Sequence, residues 1–210
     1  AQKAVEKVKL GFDTLKIKVG TGIEADIARV KAIREAVGFD IKLRLYANQA
    51  WTPKDAVKAI QELADYQIEL VERPVKRRDL EGLKYVTSQV NTTIMADESC
   101  FDAQDALELV KKGTVDVINI KLMKCGGIHE ALKINQICET AGIECMIGCM
   151  AEETTIGITA AAHLAAAQKN ITRADLDATF GLETAPVTGG VSLEAKPLLE
   201  LGEAAGLGIS

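Results

Sequence analysis

Residues 115–123 read VDVINIKLM, and KCGG follows at 124–127. The run is rich in β-branched residues, short enough for a strand, and stopped by Gly126 and Gly127. Continuous rather than alternating apolarity is what a strand needs when both of its faces are covered, as in a parallel sheet. Six more runs of this kind recur: TLKIKVG (14–20), IKLRLY (41–46), IELVE (68–72), TTIMAD (92–97), IECMIGCM (143–150) and ITRADLD (171–177).

Helical patterns fill the intervals. EADIARVKAIREAV (24–37) sets Ile27, Val30, Ile33 and Val37 on one stripe. Thr52 and Pro53 start a second helix as N-cap and first residue, and Asp102 caps another that stops at Gly113. HEALKINQICETAG and TTIGITAAAHLAAAQKN complete the set, with strand and helix alternating about every 25 to 28 residues. Repeated βα units imply a parallel sheet with right-handed crossovers. A TIM-type (β/α) barrel is expected over residues 1–190, with 191–210 as a C-terminal tail, because polar residues gather at the C-terminal ends of the strands. Eight strands close such a barrel and seven are visible, so strand one is missing from the count. A piece of a longer chain, a strand supplied by another chain and an open barrel all satisfy that count.

Composition narrows the classes. The 210 residues are 48% hydrophobic and 26% charged with net charge −5. Disorder is excluded by the apolar content, a general nucleic-acid binder is disfavoured by the charge, and no run reaches membrane-spanning length. The opening AQKAVEKVKLGF reads as a charged amphipathic helix rather than a secretory signal. Cysteines at 100, 125, 138, 145 and 149 form no C-x-x-C pair, so reduced, mostly buried thiols and a cytoplasmic setting are expected.

Charges inside strand-like runs require an explanation, since an unpaired buried charge is costly. Lys16 and Lys18 are two apart and share a face, so each disfavours the other's charge and one of them is a candidate base. Two salt-bridged lysines at a strand mouth are an equal reading of the same residues. Further round the barrel, Lys121 is expected roughly opposite Lys18, and two lysines on opposite sides of one carbon suit racemisation. Glu72 and Asp97 end adjacent strands and suit a hard divalent cation or a carboxylate cage around the lysines. Glu98 is expected to point away and support them. Asp175 and Asp177 form an acidic pair that could receive an ammonium group or cap a helix.

Taken together, K-x-K at 16–18, A-N-Q-x-W at 47–51, V-E-x-P at 71–74, A-D-E-S at 96–99 and I-K-L-M-K-C-G-G at 120–127 resemble the enolase superfamily, muconate-lactonising subgroup. D-L-D at 175–177 narrows the resemblance to dipeptide epimerases of the L-Ala-D/L-Glu kind. The resemblance implies that Lys18 and Lys121 exchange the α-proton of a dipeptide. It implies that Lys16 binds the substrate carboxylate, that Glu72 and Asp97 hold one Mg²⁺ with Asn48 and Glu98 in support, and that Asp175 and Asp177 bind the dipeptide ammonium. It also implies an N-terminal capping domain and frequent homo-oligomers.

Two residues depart from that pattern. Tyr46 stands where the family carries the first metal-ligand Asp, and Arg73 stands where dipeptide epimerases carry Gln. A phenol with an ordinary pKa of about 10 is a poor ligand for Mg²⁺. Weakened metal affinity is therefore expected, with Arg73 adding a cation beside Glu72. An engineered or inactive barrel, used as a ligand-binding scaffold or a lysine-based catalyst, is the alternative.

Overall fold

The computed structural model describes residues 1–178, 187–193 and 197–210. They form two compact units, Ala1–Ser99 with Lys112–Asp116, and Cys100–Lys111 with Val117–Ser210.

In the first unit helix α1 (Gln2–Lys9) precedes β1 (Thr14–Lys18), α2 (Ile23–Val37), β2 (Lys42–Tyr46), α3 (Pro53–Glu62), β3 (Ile68–Glu72), α4 (Leu80–Gln89) and β4 (Thr93–Ala96). The four strands pair in chain order and all in parallel. Thr52 accepts from the Asp55 amide and Pro53 sits at the first helical position, as the sequence pattern predicts. The stripe of α2 is buried at Ile27, Val30 and Ile33, and two charged residues, Asp26 and Arg34, are buried with it. Arg34 is affordable there because its guanidinium donates to the carbonyls of Tyr66, Gly38, Ile41 and Gln67 at 2.9, 2.6, 2.5 and 3.1 Å.

The second unit contains α5 (Ala103–Lys112), β5 (Val117–Lys121), α6 (Leu122–Cys125), α7 (Ile128–Thr140), β6 (Glu144–Gly148), α8 (Thr155–Ala167) and β7 (Ile171–Asp175). Strands β5, β6 and β7 again pair consecutively and in parallel. All five residues of β5 are buried, the property that its unbroken apolar run predicts. Asp102 caps α5 through the Asp105 amide at 2.9 Å. In the tail, β8 (Ser192–Leu193) and β9 (Leu199–Glu200) make a short antiparallel pair, and the Val191 amide donates to Thr159 Oγ1 on α8 at 3.0 Å. Residues 194–196 of the expected tail, and 179–186 of the expected barrel, lie outside the described residues.

Two strands correct the expectation of burial on both faces. Strand β1 alternates, with Leu15 and Ile17 buried and Lys16 and Lys18 exposed, and β7 alternates from Ile171 onward. A two-residue period is what a half-covered strand shows, and ITRAD carries it visibly in its sequence. All five cysteines are free; four are buried and Cys149 is half-buried. Burial pushes the Cys100 thiol up to about 12, which keeps it protonated and inert at neutral pH. No helix among the described residues is long and apolar enough to cross a membrane.

Candidate active site

A regularity of the strands organises the polar residues. Lys18, Tyr46 and Glu72 are the last residues of β1, β2 and β3, and Lys121 and Asp175 are the last of β5 and β7. Asp97 lies one residue past β4, and Asp177 lies two past β7, so the acidic pair is not on one strand as the sequence reading has it. Leu176, between the two aspartates, is buried.

In the first unit the register places Lys18, Tyr46 and Glu72 in one row. Neighbouring residues in a parallel register face the same side, so these three side chains share a face with Lys16, two residues before Lys18. Lys16 Nζ stands 2.7 Å from a carboxylate oxygen of the fully buried Glu72 and 4.8 Å from the centre of the Tyr46 ring. The lysine pair is therefore not an isolated like-charge pair: Glu72 offsets Lys16, leaving Lys18 exposed at the strand end.

Arg73 follows Glu72 with φ 56, a left-handed backbone that bulky residues seldom adopt. That turn carries the guanidinium away from Glu72, the partner expected from sequence, to two others. One Nη atom donates to the Tyr46 hydroxyl at 2.5 Å and to a carboxylate oxygen of Glu98. Glu98, expected to point away, is thus joined to Tyr46 through Arg73. Burial and the negative charge of Glu98 raise the Tyr46 phenol above its ordinary value, against the pull of Arg73. Burial and the adjoining Asp97 raise the Glu98 carboxyl.

The loops beyond the strands are stitched together. Gln49 and Trp51 amides donate to the Arg73 and Pro74 carbonyls at 2.9 and 3.2 Å, and the Arg77 amide donates to Gln49 Oε1 at 2.7 Å. Asn48 is exposed with φ 51, beyond the row that it was expected to support. Gly20, φ 106, lets the loop after β1 approach: a Cβ there would stand 2.6 Å from Ala50 Cβ and 2.8 Å from the Ala47 carbonyl oxygen.

In the second unit Lys121, Gly148 and Asp175 form the corresponding row. Lys121 is buried and Asp175 half-buried. Gly148 between them is required by Asn119, whose side-chain oxygen would lie 2.6 Å from a Cβ at that position. Lys124 donates to the Asn119 carbonyl at 2.8 Å and so belongs to the support of this row. Asp177 is exposed and accepts from the Cys149 thiol at 3.8 Å.

The donors of the first unit can be tested against a divalent cation. Mg²⁺ takes hard anionic or neutral oxygens in a tight octahedron. Glu72 and Asp97 are suitable oxygens, both fully buried. Position 46 supplies a protonated phenol engaged by a guanidinium, and Glu72 is already engaged by an ammonium. Among the described residues, no group of three or more His, Cys, Asp or Glu side chains is placed to hold a metal ion. This donor set does not fit a divalent ion.

The Enolase C-terminal domain-like family matches residues 1–210. Over 210 residues the chain is 99% identical to the hydrophobic dipeptide epimerase of Enterococcus faecalis V583, covering all of this chain and 59% of that protein. It is 51% identical over 212 residues to the L-Ala-D/L-Glu epimerase of Bacillus subtilis, covering 57% of it. A crystal structure of the E. faecalis dipeptide epimerase complexed with Mg and the dipeptide L-Leu-L-Tyr superposes with TM-score 0.97 at 98% identity, over all of this chain and 59% of that one. The chain thus spans about three-fifths of the length of these relatives. With its parallel α/β units and its charged strand ends, it belongs to the Enolase C-terminal domain-like family, a TIM-barrel-type domain.

Proposed function

We propose that the chain is the barrel portion of a dipeptide epimerase, an isomerase that inverts the α-carbon of a dipeptide by proton transfer between two lysines. The observation that carries this reading is the placement of Lys18 and Lys121 as the final residues of β1 and β5, each at the end where barrels of this type build their sites. The 99% identity to a hydrophobic dipeptide epimerase supports the substrate class. An activity of this kind belongs to a protein of the relatives' full length, in a cytoplasmic setting suited to free thiols.

In the proposed reaction one lysine, as a neutral amine, removes the α-proton, and the other, as an ammonium, returns a proton to the opposite face. The electron pair released from the C–H bond passes to the substrate carboxylate. Lys16 supplies a positive charge for that developing enediolate. Asp175 and Asp177 receive the dipeptide ammonium, Asp175 from the row and Asp177 from the exposed turn beyond it. Mg²⁺ affinity weakened to the point of loss is part of this reading, and turnover by the unaltered chain is expected to be correspondingly weak or absent.

A second reading, a barrel that binds ligands without turning them over, is favoured by one observation: Arg73 holds the Tyr46 hydroxyl and Glu98 where the family places a metal ligand. Loss of the α-¹H signal of L-Ala-L-Glu and L-Leu-L-Tyr in D₂O separates the two. With Tyr46→Asp and Arg73→Gln introduced into a protein of the relatives' full length and Mg²⁺ supplied, exchange is expected, and Lys18→Ala or Lys121→Ala should each reduce it by about 10²-fold or more. Absence of exchange from that variant, when it is folded and binds Mg²⁺, overturns the epimerase reading.

A further inference from the structure

We infer that Arg73 is a built-in counter-ion of the first unit's carboxylates, coupled to Tyr46, and that the pair closes this site to Mg²⁺. The inference rests on the family's assignment of position 46, Glu72 and Asp97 to a metal, and not on turnover by the chain.

Three observations carry it. Arg73 and Lys16 bring two fixed positive charges to the cluster, one on Glu98 and one on Glu72. Both also approach the face of the Tyr46 ring, at 5.8 and 4.8 Å from its centre. A dication entering such a site is repelled by both charges at short range and must displace them from carboxylates that are buried or half-buried. Arg73, finally, is not well housed for packing alone: its φ is 56, and its Nε is buried with no hydrogen-bond partner. A residue that carries backbone strain and an orphaned donor is held there by its charge partners.

The coupling makes a prediction that loss of one ligand alone does not. Tyr46→Asp by itself gives Arg73 a carboxylate to pair with, so the guanidinium stays and competes with the metal. Arg73→Gln by itself removes the cation but leaves a phenol in the ligand position. Only the two changes together supply three carboxylates with the guanidinium gone.

Mg²⁺ binding to the purified protein and its three variants can be measured by titration calorimetry and by the rise in melting temperature from 0 to 10 mM MgCl₂. Circular dichroism verifies that each protein is folded. The unmodified protein is expected to show no melting shift beyond that produced by the same ionic strength of NaCl. Each single variant should show less than one tenth of the double variant's association constant, and the double variant's gain should also exceed the product of the two separate gains. Mg²⁺ binding by the unmodified protein within tenfold of the double variant overturns the inference. So does full recovery by Tyr46→Asp alone, which would leave Arg73 without a role. Because the readout is binding, its failure is independent of whether α-proton exchange is ever observed.

Discussion

The two units present the same kind of strand-end row and fill it differently. In the first, Lys18, Tyr46 and Glu72 stand side by side, and the surrounding charges compensate one another through Lys16, Arg73 and Glu98. In the second, Lys121 and Asp175 are separated by Gly148, and Asn119 fills the space that the glycine leaves. Register creates the row in both, because parallel neighbours face the same side. Residue choice decides whether the row closes on itself or keeps two groups two strands apart, about 10 Å. The first arrangement pairs charge with charge, and the second spaces a lysine and a carboxylate across a glycine.

The sharpest way to break this contrast is through the two tight glycines. Gly20→Ala meets a backbone carbonyl and demands φ 106 of an L side chain, so it should destabilise the protein by about 3 kcal/mol in urea unfolding. Gly148→Ala meets the end of the Asn119 side chain instead, which can shift, and should cost about 1–2 kcal/mol. Equal losses would mean that the second row is as rigid as the first. On the proposed role of Asp175, Asp175→Asn removes a charge from the second row and should weaken binding of a dipeptide with a free ammonium roughly tenfold, with little change for an N-acetylated dipeptide. An equal loss for both ligands would remove Asp175 from ammonium recognition.

The smallest effect concerns acid. Asp26 is buried, which raises its carboxyl, but hydrogen bonds from the Gly20, Thr21 and Gly22 amides and the Thr21 hydroxyl outweigh burial and hold it below the ordinary range. A depressed carboxyl contributes stability above its unfolded pKa of about 3.9 and loses it as pH falls through the lower folded value. The stability difference between the protein and Asp26→Asn should therefore be level above about pH 5 and shrink toward pH 3. A difference that grows on acidification would show that the loop amides do not hold the ionised form.

Much of the fold was legible in the sequence. The seven strands fall on the seven apolar runs, and the caps at Thr52 and Asp102 fall on their predicted residues, because strand burial and capping depend on neighbours within a few positions. Several site partners were not legible. Asp26 and Arg34 look like ordinary charges on a helix, yet both are buried, and only the Thr-Gly turn before α2 hinted at the first. Nothing local announces that Arg34 meets carbonyls more than thirty residues away at Tyr66 and Gln67.

The sequence by itself determined where the strands lie: IKLRLY and IELVE end at Tyr46 and Glu72 as their strands do, Lys18, Lys121 and Asp175 fall near the C-terminal ends of theirs, and a two-residue period assigns their faces. Tertiary structure decided which charge meets which. Lys16 rather than Arg73 takes Glu72, and Arg73 takes Tyr46 and Glu98, because partner choice depends on the register between strands and on one left-handed residue. Those are properties of chains brought side by side, and no single strand carries them.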